Sequence, residues 1–129
     1  MITIHKHDSS SRQPWEYLPA AAGTYKAGQA LTVTDGKLTA IKAAHTTTPP
    51  YICMADVTVE DGQNLPVIRV TDKVIYETTL SADAADAAVG TKLQVSAGGL
   101  EVDAAAGGTF EVTAIEGTAA GSTVYGRFQ

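Results

Sequence analysis

Three histidines, one cysteine and a few closely spaced carboxylates are the groups in this chain that could hold a metal or attack a substrate. His5 and His7 stand two apart with Asp8 adjacent, so an extended strand would present both imidazoles on one face to a divalent ion. His45 is the remote third candidate, and two ligands on a polar leading segment are too few to close a site. Asp83 and Asp86 lie three apart in "SADAADAAVG", the one stretch with helical character, where carboxylates complement the positive helix N-terminus. Ser81 or Asp83 would cap that helix and Gly90 would end it. The acidic run lacks the turn glycine and distal glutamate of a calcium loop in register. Cys53 cannot form an internal disulfide, and its apolar surroundings, "YICMADVTV", read as those of a reduced, half-buried thiol. The phosphate-loop, dinucleotide-binding, zinc-protease and nucleophile-elbow signatures are all absent. The expectation is therefore a binding protein, with no catalytic residues, cofactor or metal.

Composition bounds what must position any binding surface. A length of 129 residues suits one domain with a core that needs no metal or disulfide staple. With 44% hydrophobic residues, 18% charged residues, 12 glycines and five prolines, the chain reads as all-β with short strands and frequent turns. A net charge of −5 argues against binding nucleic acid or an anionic membrane, where a basic patch would release phosphate counterions. "MITIHKHDSSS" lacks the apolar core of a signal peptide, and no run approaches the roughly 18 apolar residues of a membrane-spanning helix. Synthesis in the cytoplasm is the expectation.

Two stretches share a pattern. In "AGQALTVTDGKL" and "VGTKLQVSAGGL", Gly28, Leu31, Val33, Gly36 and Leu38 stand in the register of Gly90, Leu93, Val95, Gly98 and Leu100. Leu31 and Val33 point to one strand face while Thr32 and Thr34 point to the other. Asp35-Gly36 favours a tight type I′ turn, and Ala97-Gly98-Gly99 can do likewise. Both stretches read as hairpins. "HTTTPP" is a loop, "YICMADVTV" a strand, and "VIRVTDKVIYETTL" two strands bent around Thr71-Asp72-Lys73, in which Arg69 and Glu77 can pair across strands. "GGTFEVTAIEGTAAGSTVYGRFQ" supplies two more strands.

Residues 1–20 differ from the domain of residues 21–129. They are polar, with a serine run at Ser9–Ser11, two prolines, and the only tryptophan. They read as an extended arm. Ile2, Ile4, Trp15, Tyr17 and Leu18 have no obvious local partner, so they either dock on another chain or, for Trp15 and Tyr17, cover one end of their own core.

The polar arm, "AGTYKAGQALTVTDGKL", "LPVIRV…VIYETTL", "VGTKLQV…GGLEV" and "FEVTAIEG…STVYGRF" together resemble the head decoration, or capsid cement, proteins of tailed bacteriophages. The resemblance implies a small β-tulip or β-clip-like barrel or sandwich with an extended N-terminal arm and at most one short helix. It further implies a homotrimer on the outer surface of the capsid, bound to the major capsid protein and stabilising its lattice. On this reading the arm adds a strand to the shell, with Ile2, Thr3, Ile4 and the segment Pro14, Trp15, Tyr17 and Leu18 as capsid contacts and Trp15 as hot spot. Residues 1–18 would then be dispensable for folding. Other classes are a head-fibre base or tail component, and a small carbohydrate-binding domain using Trp15, Tyr25, Tyr51, Tyr76 or Tyr125 as an aromatic platform.

Overall fold

Asp35 and Gly36 both adopt left-handed backbone conformations, with φ of 52° and 77°. They close a two-residue turn that sets Val33 opposite Leu38 and Thr34 opposite Lys37, the register a type I′ hairpin requires. In this computed structural model, which describes residues 1–7 and 14–129, such local rules generate thirteen short strands among the described residues. They are β1 (Thr3–Lys6), β2 (Glu16–Pro19), β3 (Gly23–Tyr25), β4 (Ala30–Thr34), β5 (Lys37–Ala40), β6 (Tyr51–Cys53) and β7 (Val57–Val59). The rest are β8 (Asn64–Arg69), β9 (Ile75–Thr79), β10 (Lys92–Val95), β11 (Val102–Ala106), β12 (Phe110–Ile115) and β13 (Thr123–Phe128).

The strands form a six-stranded sheet in the order β1-β9-β13-β12-β10-β11, a five-stranded sheet in the order β2-β8-β6-β4-β5, and the pair β3-β7. Every strand pairing is antiparallel. A parallel bridge from Ala20 to Leu38 draws the two edges of the five-stranded sheet together at one end, without closing it into a barrel. The fold is all-β, as the composition led one to expect.

The five-stranded sheet is covered on both faces, and its strands deliver alternate residues to two cores. Ala30, Ile52 and Ile68 belong to a large core with Tyr76, Leu93, Val95, Phe110, Val124 and Phe128 of the six-stranded sheet. Leu31, Tyr51, Cys53, Leu65 and Val67 turn the other way, into a smaller core completed by Tyr25 and Val59 of the β3-β7 pair. Phe128 packs edge-on against both Tyr76 and Phe110, with ring centroids 5.5 and 5.3 Å apart.

The two related stretches do become strand pairs. Gly28, Gly90, Gly36 and Gly98 all have positive φ, and Leu31 and Leu93 are both fully buried. They are not equivalent: Leu31 enters the smaller core and Leu93 the larger. Val33, expected on the buried face, is exposed, whereas Val95 is buried.

Several expectations need correction. No helix forms among the described residues; residues 81–90 make turns and bends, and Asp83 accepts a hydrogen bond from the Ala120 N–H at 2.8 Å. "YICMADVTV" is not one strand, because it divides into β6 and β7 in different sheets. β8 and β9 also part into different sheets, so Arg69 pairs with Glu16 at 3.2 Å and Glu77 with His5 at 3.4 Å instead of with each other.

The largest correction concerns the expected arm of residues 1–20, whose described parts, residues 1–7 and 14–20, are joined to the body. Ile2 is only 1% exposed and belongs to the larger core, and its N–H donates to the Gly28 carbonyl at 2.8 Å. Beyond it, β1 pairs with β9, setting Thr3 opposite Glu77 and Ile4 opposite Tyr76. β2 pairs with β8, and Leu18 packs on the smaller core. The physical reason is that both strands satisfy their backbone groups on edges of the protein's own sheets, and an isoleucine gains more from a full core than from solvent. The serine run lies outside the described residues.

Removal of residues 1–18 is therefore expected to destabilise the domain, contrary to the arm reading. Ile2→Ala should lower unfolding free energy by about 2–5 kcal/mol, measured by urea denaturation, as for other buried isoleucine truncations. Burial raises the Cys53 thiol and the Tyr76 phenol above their ordinary ranges. The folded state thus holds both protons more tightly than the unfolded chain, so stability is full below the unfolded values and falls as pH rises through roughly 9 to 11. The urea midpoint should decline across that window, and a thiol reagent should label Cys53 only after unfolding.

Candidate functional site

The groups with reactive chemistry are held apart. The Cys53 Sγ is inaccessible and donates to the Ala55 carbonyl at 3.2 Å, and its raised pKa keeps it a thiol. His5 lies on β1 against the Tyr125 ring, with centroids 4.4 Å apart, while the His45 Nε2 is 2.9 Å from the Thr47 hydroxyl in the connection after β5. Among the described residues no three histidine, cysteine or carboxylate side chains converge on a metal-sized site; Asp8 lies outside them. Tyr25, Tyr51 and Tyr76 are buried within the two cores, which removes three members of the aromatic platform.

What the fold does present is apolar surface. Met1, Ile4, Trp15 and Tyr17 are all exposed, alongside the isolated Val33 and Val89. Strand alternation places Trp15 and Tyr17. On β2, Leu18 turns inward, and Glu16 is held by Arg69, whose guanidinium lies 5.0 Å from the centre of the Tyr51 ring. Tyr17 must then face the other way, opposite Pro66, and the same register brings Trp15 level with Ile68. Trp15 is 53% exposed and Tyr17 63% exposed, so neither covers the end of the core.

Ile68 also lines a groove of about 160 Å³ with Met1, Ile2, Thr3, Ile4, Gly28, Ile52 and Met54. Its walls are almost wholly apolar. The Met54 N–H donates to the Pro66 carbonyl at 2.9 Å, tying the far wall of the groove to the strand that carries Tyr17 across from it. The candidate surface is thus a shallow apolar groove with Ile4 on one side and the Trp15–Tyr17 strand on the other.

Of the residues singled out from the sequence, Ile4, Trp15 and Tyr17 belong to this surface and Pro14 is exposed next to it in the chain. Thr3 lines the groove, Ile2 forms its floor as a core residue, and Leu18 points away into the smaller core. Sequence reasoning missed Met1, Met54 and Ile68. Met54 and Ile68 sit within apolar runs that looked like ordinary strand interior, and no local signal shows that a groove opens over the buried Ile68 and the half-buried Met54.

Trp15→Ala and Tyr17→Ala should each change stability by no more than about 0.5 kcal/mol, because more than half of each residue is exposed and neither belongs to a core. The single tryptophan should emit at the long wavelength of a solvated indole, a spectrum that Ile2→Ala leaves unchanged while lowering the melting temperature. Compared with known proteins, the chain matches no protein-family model and no curated sequence, and its function is read from this surface.

Proposed function

We propose that the protein is a capsid decoration protein that seats on the outer surface of a phage head and stabilises the lattice of the major capsid protein. The observation that carries this reading is the exposed apolar surface of Ile4, Trp15 and Tyr17 beside the groove, displayed on two strands that are themselves anchored in the body. Aromatic side chains standing proud of a rigid sheet are the kind of group that becomes a hot spot once a partner excludes water from it. The all-β body and the hairpins that resemble the decoration family support the same reading.

Attachment by this route differs from arm insertion. Because β1 and β2 are paired before any partner arrives, the contact is between preformed faces and little ordering entropy is lost on binding. Three copies grouped as a homotrimer would contact several shell subunits at once, so that release of one contact leaves the others in place. Cohesion of the shell against internal pressure follows from that multivalency, without turnover.

Co-sedimentation with expanded shells of the major capsid protein encoded in the same genome tests the proposal. Wild-type protein should pellet with shells at saturating stoichiometry, and Trp15→Asp should weaken binding by about 30-fold, the effect of losing a hot spot worth about 2 kcal/mol. Absence of pelleting, or full occupancy by a Trp15→Asp/Tyr17→Asp variant, would overturn it.

A further inference from the structure

A second surface, distinct from the apolar groove, carries the opposite chemistry. At the β1 end of the six-stranded sheet an open cleft of about 680 Å³ is lined by His5, Lys6, His7, Lys73, Ile75 and Arg127. It shares no lining residue with the groove. The chain has nine lysines and arginines against fourteen acidic residues, yet three of those nine stand around this cleft and, among the described residues, no carboxylate lines it. Among the described residues, ion pairs join Lys37 to Asp61, Arg69 to Glu16 and His5 to Glu77. Lys6, Lys73 and Arg127 take part in none of them.

Register fixes how these cations are spread. Lys6 on β1 is opposite Ile75 on β9, and the pairing of Gly126 with Tyr76 brings Arg127 on β13 level with Ile75 from the other side. Lys6 and Arg127 therefore flank Ile75 at two strand spacings, about 10 Å between backbones, while Lys73 approaches from the turn that leads into β9. Glu77 and Glu111 border the area: Glu77 is engaged by His5, and Glu111, opposite Arg127 on β12, accepts from the Gln129 side-chain amide at 3.3 Å.

We propose that this cleft binds a carboxylate-rich, extended segment of a partner protein. Three cations around an isoleucine floor match a short peptide with acidic side chains two or three residues apart and an apolar one between them, since extended residues advance about 3.3 Å each and three of them about 10 Å. Backbones spread over about two strand spacings suit several carboxylates in a row better than a single phosphate ion. A nucleic-acid strand would carry its charge on past the cleft toward Glu77 and Glu111, and among the described residues no tryptophan, tyrosine or phenylalanine lines the cleft to stack a base.

Fluorescence anisotropy with fluorescein-labelled hexaglutamate tests this, with hexathymidylate and inorganic phosphate as competitors. Hexaglutamate should bind at low ionic strength, weaken as salt shortens the screening length, and be displaced by neither competitor at equal concentration. Lys73→Glu/Arg127→Glu should reduce affinity by about tenfold or more, and Lys73→Gln/Arg127→Gln, which removes charge without adding repulsion, should reduce it less. Lys42→Glu, on a different surface, should have little effect. The neutral pair decides the matter should the charge-reversed pair fail to fold. The proposal is overturned by no hexaglutamate binding, by equal loss in Lys42→Glu, or by hexathymidylate or phosphate binding as tightly as the peptide.

Discussion

The fold depends on a seam where the connection between β10 and β11 meets the five-stranded sheet. There the Ala30 N–H donates to the Gly99 carbonyl at 2.7 Å, the Gly98 N–H donates to the Ile41 carbonyl at 2.7 Å, and the His45 N–H donates to Val95 at 2.8 Å. A Cβ on Gly99 would lie 2.3 Å from the Ala30 carbonyl oxygen, so only glycine lets the backbones approach this closely. The chain's first residues use the same seam: the Met1 ammonium donates to the Leu100 carbonyl and Ile2 to that of Gly28. With the seam in place the two sheets face each other across the larger core and β1 has an edge to join.

From that constraint follows the division of labour in the five-stranded sheet. Ordinary surface strands bury every second residue, but Tyr51, Ile52 and Cys53 are buried in succession because the seam covers one face and the β3-β7 pair the other. A sheet buried on both faces has little freedom to shift register, since a slip of one residue would exchange the contents of the two cores. That rigidity is what allows β2, attached at its edge, to hold Trp15 and Tyr17 outward.

The two proposed binding surfaces lie at opposite ends of the short strand β1. Ile4 borders the apolar groove and Lys6 the basic cleft, and a bulge between Ile4 and Lys6 interrupts the pairing with β9. A bulge inserts an extra residue and turns the following side chains, so a four-residue strand can serve apolar contact at one end and charge recognition at the other. Apolar contact supplies affinity once water is excluded, whereas charge complementarity selects the partner and speeds encounter. An acidic protein that groups three of its nine lysines and arginines around one cleft would repel polyanions at large while accepting a short acidic segment there.

How much of this was legible beforehand depends on the range of the interaction responsible. The all-β class, the Asp35-Gly36 turn, the burial of Leu31 and Leu93 and the terminal pair β12-β13 were all readable, because they follow from backbone preferences and alternation within a few residues. The exposed Ile4, Trp15 and Tyr17 were also identified, as apolar side chains lacking a local partner. What misled was the inference that a polar, proline-bearing segment must be free: Ile2 finds its place only because Gly28 and β9, distant in the chain, form a slot and an edge for it. The parting of β8 from β9, the absence of a helix at residues 81–90 and the gathering of Lys6, Lys73 and Arg127 are likewise products of pairing between strands far apart in sequence. Local composition decided which segments would be strands; the seam and the sheet order, set by long-range burial and backbone hydrogen bonding, decided which edges they joined and which side chains were left to meet a partner.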